Sequence, residues 1–272
     1  MSKIIGIIGN GFVGEALAFA FSSSFEIRIF DIDQSKSTHS LEEVHQCDII
    51  FVCVPTPMFS DGSQDLTYVN SVFDNAKSGP LYIIKSTILP GTTIDLINKH
   101  HLKIIFSPEF LTERTAKLDM LTQSRIILGG EKKLTSTARE IFEFRFKNKN
   151  IIETDSNTAE LVKYMNNIFF ATKVSIMNEF KLISDKVGAN WEEALHGFSS
   201  DGRIGDSHLN VPGHDGKYGY GGTCFPKDVS SLIQFAKKNN LMINTILGGW
   251  KTNLQLRPEK DWTSKIGRSV SE

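Results

Sequence analysis

The chain has 272 residues, of which 22% are charged, and a formal net charge of -1. That length closes one large core or two modest ones, and the near-zero charge provides no basic field for nucleic acid or an anionic membrane. No apolar run approaches the roughly 20 residues of a membrane span, and the first residues read as a strand rather than a secretory leader.

Apolar runs at residues 3–8, 26–30, 48–54, 81–85, 103–106 and 125–128 alternate with helical stretches, and a last pair lies at 151–152. Their near-continuous Ile, Val and Phe content predicts strands covered on both faces, as in a parallel sheet. The alternation predicts a doubly wound, Rossmann-like α/β domain over residues 1–153. Asn157 followed by Glu160 predicts a capping box, and the helical pattern then runs to about Val187 with Gly188 as its stop. Such a helix is about 45 Å long at 1.5 Å per residue. Its apolar residues, among them Leu161, Met165, Phe169, Ile176 and Phe180, exceed one stripe, which predicts a homodimer built around it.

A short helix is expected over 191–198, and the glycines between Asp201 and Gly222 predict a loop. Pro226 is expected to open a helix over 227–238. Residues 154–254 thus read as an all-helical domain on one long helix, and 255–272 as a polar, weakly patterned tail. Three cysteines cannot all pair, so a reducing cytoplasm is expected, with Cys47 and Cys53 as packing residues of a strand. The seven histidines lack metal-ligand spacing, so no metal site is expected.

The first strand runs into Gly9-Asn10-Gly11-Phe12-Val13-Gly14 and then an apolar helix. Glycine strings also serve ordinary turns, and a flavin or another nucleotide remains open. Between a strand and a helix, however, this spacing suits a dinucleotide: Gly9 turns the chain, Gly11 admits a pyrophosphate, Gly14 lets the helix pack, and the helix N-terminus meets the phosphates. Asp31, at the end of the second strand, suits a ribose diol and repels a 2′-phosphate, which favours NAD over NADP. Lys36 is a nearby cation that opposes that preference.

Four further strings follow in order: Lys85-Ser86-Thr87, Ser107-Pro108-Glu109-Phe110-Leu111-Thr112-Glu113, Glu160-Leu161-Val162-Lys163-Tyr164-Met165-Asn166-Asn167, and Gly219-Tyr220-Gly221-Gly222-Thr223-Cys224-Phe225-Pro226-Lys227-Asp228. Together they resemble the UDP-glucose/GDP-mannose dehydrogenase family, from residue 1 to about Asn253. The resemblance implies a helical domain like that of 6-phosphogluconate dehydrogenase and oxidation of a nucleotide-sugar C6 alcohol to the acid with two NAD in turn. UDP-glucose to UDP-glucuronate is the leading substrate pair, with an amino-sugar nucleotide or GDP-mannose also open. It implies that Cys224 forms a thiohemiacetal and then a thioester. Lys163 and Asn167 would stabilise the oxyanion, Asp228 and Thr87 would hold and activate the water, and Glu109 would be an acid/base. Thr56, Ser86, Glu113 and Lys227 would lie on the cofactor side. Arg203, Tyr218 and the Gly219-Tyr220-Gly221-Gly222 loop would meet the substrate.

Some of these roles also follow from the residues alone. A cysteine at a helix start beside Lys227 favours thiolate over thiol. Lys163 and Asn167, four apart, share one helix face. Family members ordinarily continue into another Rossmann-like domain that grips the nucleotide, so this chain reads as a short form. Two other readings compete. A two-domain β-hydroxyacid dehydrogenase would transfer one hydride and need no cysteine, and a silent NAD-binding protein would bind cofactor without turning over a sugar.

Overall fold

The protein is described by a computed structural model covering residues 3–271. Seven strands, β1 (Ile4–Ile8), β2 (Glu26–Phe30), β3 (Ile49–Val52), β4 (Leu81–Ile84), β5 (Lys103–Phe106), β6 (Arg125–Gly129) and β7 (Asn150–Thr154), form one sheet in the order β2-β1-β3-β4-β5-β6-β7. The helices between them are α1 (Phe12–Phe21), α2 (Leu41–Val44), α3 (Thr67–Asp74), α4 (Thr92–His100), α5 (Ala116–Thr122) and α6 (Lys132–Arg145). Side chains alternate across the sheet, so one strand supplies two cores. Ile7, Phe51, Ile83 and Ile105 pack on one side with Leu17 of α1 and Phe142 of α6. Ile50, Val52, Tyr82 and Ile104 pack on the other with Phe73 of α3 and Leu96 of α4. Both faces of the central strands are therefore dry, which is why these lack a polar face. The edge strand β2 instead carries Glu26 and Arg28 and buries none of its residues fully.

The first five strands pair in parallel. One feature departs from an all-parallel expectation: β6 meets β5 through a single antiparallel pair, Phe106 with Gly129, while β6 and β7 are parallel to each other. Strands buried on both faces have the same composition in either direction, so apolar runs do not reveal this reversal. The chain direction changes sides between β1 and β3, and the carboxyl ends of such strands form the crevice where open α/β sheets take ligands.

The long helix α7 spans Ser156–Val187, followed by Gly188 at φ +70. Its start differs from the expected Asn157/Glu160 box. Asp155 does the capping, accepting from Thr158 N at 2.9 Å and from Thr158 Oγ1 at 2.6 Å. Glu160 instead reaches α4, where its carboxylate accepts from Gly91 N (2.7 Å), Thr93 N (2.8 Å) and Thr93 Oγ1 (2.6 Å). The glutamate of the apparent box caps a different helix. Desolvation by burial raises its pKa, and those donors only partly offset it.

The chain divides into two compact units. The first comprises the residues up to Thr56 together with Asp65–Lys163; the second comprises Pro57–Gln64 and the residues from Tyr164 on. The second unit adds α8 (Trp191–Ser199), α9 (Phe225–Lys238) and α10 (Asn244–Leu256). Helix α9 starts at Phe225, so Pro226 is its second residue. The segment after Leu256 is packed rather than loose: Arg257 and Trp262 are each 2% exposed, and Met58 bridges to Val270. Along α7 an apolar row stays exposed, with Met165 at 60%, Phe169 at 66%, Phe180 at 51% and Val187 at 71%. Among the described residues, no helix is long and apolar enough to cross a membrane.

Candidate active site

In the first unit, β1 ends at the glycine turn. Gly9 has φ +94, a conformation disfavoured for side-chain-bearing residues, and a Cβ there would lie 2.7 Å from Cys53 O. A Cβ on Gly14 would lie 2.1 Å from Gly9 O, so this glycine lets α1 close on the turn. Gly11 differs: a Cβ there would meet nothing within 4 Å, so its backbone faces open space at the N-cap of α1. Phe12 and Val13, the first helical residues, pack against the core.

Asp31 Oδ2 accepts from Asn10 N at 2.6 Å and its Oδ1 from Asp33 N at 2.9 Å, which aims the carboxylate beside the turn. Asn10 Nδ2 donates to Lys36 O at 2.8 Å, while Asn10 Oδ1 is buried with no partner. An open glycine, an orphaned acceptor and an oriented carboxylate fit a dinucleotide. Lys36 is paired with Asp33 at 3.6 Å, which lessens its pull on a 2′-phosphate.

Further along the same unit, Thr56, Ser86 and Thr87 are buried, and Ser86 Oγ donates to Val54 O at 2.7 Å. Lys163 Nζ donates to Glu109 O at 2.7 Å and to Glu109 Oε1 at 2.9 Å, with both side chains buried. Glu109 Oε2 accepts from Leu111 N at 2.7 Å. Burial alone would raise the Glu109 pKa, but the Lys163 charge and these hydrogen bonds outweigh it and hold the carboxyl below its usual range. Glu113 begins a single 3₁₀ turn, Glu113–Thr115, and is exposed. No helix joins Glu109 to Glu113, so their four-residue spacing does not put them on one face.

Lys85, part of the Lys85-Ser86-Thr87 string but without an expected role of its own, joins this cluster. Also buried, it donates to Ser107 Oγ at 3.2 Å and to Pro108 O at 3.0 Å. Burial lowers its pKa to about 8, against the opposing pull of the Glu109 charge. Cys53 is pushed up to about 12 by burial and Cys47 to about 11, so both stay thiols.

In the second unit, Cys224 is the N-cap residue of α9 and makes no side-chain capping bond. One turn on, Asp228 is 1% exposed and lies between two donors. Asn167 Nδ2 reaches its Oδ2 at 2.6 Å and Lys227 Nζ its Oδ1 at 2.6 Å. The Lys227 ammonium, expected beside cofactor and thiolate, is thus committed to Asp228.

The loop before Cys224 is tied down through its backbone. Gly219 N donates to Asn178 Oδ1 at 3.0 Å and Gly222 N to Asp261 Oδ2 at 3.3 Å. Asn253 grips Tyr220 twice, accepting from its N–H at 2.7 Å and donating to its carbonyl at 3.0 Å. A Cβ on Gly221 would lie 2.2 Å from Asp261 Oδ1 and 2.4 Å from Arg257 Nη1, so Gly221 is a packing requirement. The backbone N–H groups expected around a sugar therefore already serve protein side chains at positions 219, 220 and 222. Tyr218 is half-buried and Tyr220 is buried. Arg203 is 88% exposed and bonds Asp201 through Nε at 3.0 Å and Nη2 at 2.6 Å.

Lone asparagines and a tail arginine give no pattern, so Asn178, Asn253 and Arg257 were not foreseeable; a buried amide in an apolar helix was the only hint. Among the described residues no group of three His, Cys, Asp or Glu side chains could hold a metal. The first unit's cleft of about 490 Å³, lined by Lys3, Asp48, Leu81 and Lys103, touches none of the candidate residues.

Comparison with known proteins gives a coherent result. The model for the NAD binding domain of the UDP-glucose/GDP-mannose dehydrogenase family matches residues 35–145, and that for its central domain matches 157–254. UDP-glucose 6-dehydrogenase YwqF of Bacillus subtilis is 38% identical over 206 residues, covering 70% of this chain and 45% of that protein. A UDP-glucose dehydrogenase structure from Pyrobaculum islandicum superposes with a TM-score of 0.83 at 25% identity, covering 94% of this chain and 68% of that one. A UDP-D-ManNAc dehydrogenase structure from Pyrococcus horikoshii gives 0.81 at 25% identity, covering 94% and 69%. The chain spans 29% to 65% of the length of the first three curated relatives it matches.

Proposed function

Because the chain belongs to the UDP-glucose/GDP-mannose dehydrogenase family, we propose that it oxidises the C6 alcohol of a nucleotide sugar, UDP-glucose first among the candidates, to the acid. The observation that carries this reading is Cys224 at the start of α9, one turn before the buried Asp228 that Asn167 holds at 2.6 Å. Bound NAD would accept the hydride lost in each of the two oxidations; Gly9 to Gly14 and Asp31 would hold it, with Thr56, Ser86 and Glu113 as further contacts on the cofactor side.

The Cys224 thiolate adds to the aldehyde carbon, forming a C–S bond as the carbonyl pair moves to oxygen. The cysteine is activated by the amino end of α9, since Lys227 is engaged with Asp228. Lys163 and Asn167 stabilise the oxyanion; donors of this kind contribute on the order of 3 kcal/mol. Loss of a hydride from that oxyanion leaves the thioester. Water, held by Thr87 and relieved of its proton by Asp228, attacks the carbonyl, and the C–S bond breaks to release acid and thiolate. Glu109, held ionised by Lys163, suits a base and counter-ion rather than an acid. Arg203, Tyr218 and the loop 219–222 flank the sugar nucleotide in this reading.

A second copy is the proposed cover for the α7 row of Met165, Phe169, Phe180 and Val187, which gives a homodimer. Three thiols and the requirement for a reduced Cys224 suit the cytoplasm. The test is turnover of UDP-glucose, UDP-ManNAc and GDP-mannose with NAD, measuring acid and NADH together. The proposal expects acid from one of them with two NADH per acid; NADH formed without acid points to a single-hydride dehydrogenase, and tight NAD binding without turnover points to a silent protein.

A further inference from the structure

The proposed reaction leaves Lys85 unused, although it is one of the chain's few buried lysines. Its ammonium binds Pro108 O while the Lys163 ammonium binds the next carbonyl, Glu109 O. Two lysines from different elements thus clamp consecutive carbonyls of one turn. Lys85 Nζ takes Ser107 Oγ as well, at 3.2 Å, and Glu109 closes the turn on itself through Leu111 N. The segment 107–111 lies in neither helix nor strand, so nothing in the regular backbone fixes it. The charged groups facing Lys85 are Glu109 and Lys163, with the Cys53 thiol beside them.

We propose that Lys85 is a positioning residue: it fixes the segment 107–111 and supplies the second positive charge that keeps Glu109 ionised, so that Glu109 holds Lys163 in one place. The geometry makes the assignment specific. A neutral side chain at 85 leaves Pro108 O and Ser107 Oγ short of a donor and leaves Glu109 with one cation. An arginine keeps the charge, but its planar fork does not reproduce a point ammonium on a carbonyl and a hydroxyl. Burial brings Lys85 to about 8, whereas Cys53 stays protonated there.

The electrostatic link does not depend on the proposed reaction; only its catalytic consequence rests on that reading. The experiment is a ¹³C NMR titration of the Glu109 side-chain carboxyl in the full chain, assigned with Glu109→Gln. In the wild-type protein the resonance should show an inflection near pH 8, where Lys85 discharges, besides its own acid titration. In Lys85→Met the upper inflection should vanish and the acid midpoint should move up by about one pH unit, a tenfold change in proton affinity. Should Lys85→Met fail to fold, the wild-type inflection and Ser107→Ala, which should move that inflection, still decide the matter. A Glu109 resonance with no upper inflection, or one that Lys85→Met leaves in place, overturns the proposal whatever the enzyme turns over. If a substrate is found, Lys85→Met should lower kcat about tenfold with the NAD Kd unchanged and shift the acid limb of the kcat profile upward; a purely structural lysine would not move that limb. Absence of any turnover in the wild-type protein with the inflection intact would count against the proposed reaction and not against Lys85.

Discussion

Glu109 and Asp228 are both buried carboxylates held by a lysine, yet they are held in different ways. Glu109 meets Lys163, 54 residues away, in a cluster with a second ammonium, Lys85. Asp228 meets its chain neighbour Lys227 and takes one distant partner, Asn167. The first group joins β-sheet loops to the first turns of α7, and its electrostatics depend on the fold being closed. The second is mostly a product of one helix start. Buried charge survives only when paired, and the two sites show a long-range and a local solution to that demand.

Cysteine removal should have the largest effect. Cys224→Ser should lower acid formation at least 1,000-fold, on the order expected for loss of a covalent nucleophile, with NAD affinity intact by fluorescence titration. Unaltered acid production would mean that the second site contributes no covalent step.

Glu109→Gln removes the carboxylate that Lys163 binds beside Lys85 and should cost about 3 kcal/mol in urea unfolding at pH 7, as for breaking one side of a buried pair. The pH dependence follows in sign. The Glu109 pKa lies below its ordinary 4.5 in the folded chain, so its stabilisation is present above pH 4.5 and is lost as pH falls through the folded value. The stability gap between wild type and Glu109→Gln should therefore narrow in acid. A gap that is constant from pH 7 to pH 3 would show that Glu109 is not held ionised.

Smaller effects sharpen the contrast on the local side. Asn253→Ala should cost about 2 kcal/mol, because the Tyr220 N–H and carbonyl are both left buried without partners, and should reduce kcat more than it weakens NAD binding. The glycine turn allows the finest distinction. Gly14→Ala should destabilise by about 1–3 kcal/mol through overpacking, since its Cβ would meet Gly9 O at 2.1 Å. Gly11→Ala should leave the melting curve unchanged and weaken NAD about tenfold, roughly 1.4 kcal/mol. Equal melting losses in the two variants would remove the evidence that Gly11 faces a ligand.

The same division explains what was legible. Strands β1, β3, β4 and β5 showed in the sequence because double-faced burial favours runs of Ile, Val and Phe, and the Gly9 turn showed because its glycines stand between a strand and a helix. The reversal at β6 has no such mark. Asn157 and Glu160 matched a capping box by spacing, but Asp155 capped the helix and Glu160 was drawn to Gly91 and Thr93, some 67 residues away in the chain for Thr93. Arg257 and Trp262 sat in a segment with no periodicity, so its packing was invisible. Residues that work through chain neighbours, such as Cys224 with Asp228, could be read as strings. The contacts that join distant positions, Lys85 with Pro108 and Asn253 with Tyr220, could not.

The central claim is a covalent acyl step on Cys224, and intact-protein mass spectrometry after acid quench tests it most directly. Asp228→Asn, which lacks the carboxylate proposed to take the proton from water, should accumulate protein heavier by the nucleotide sugar less the hydrogens removed in both oxidations, with the added mass mapped to Cys224. Turnover with no adduct in Asp228→Asn, or an adduct that persists in Cys224→Ser, would contradict the account.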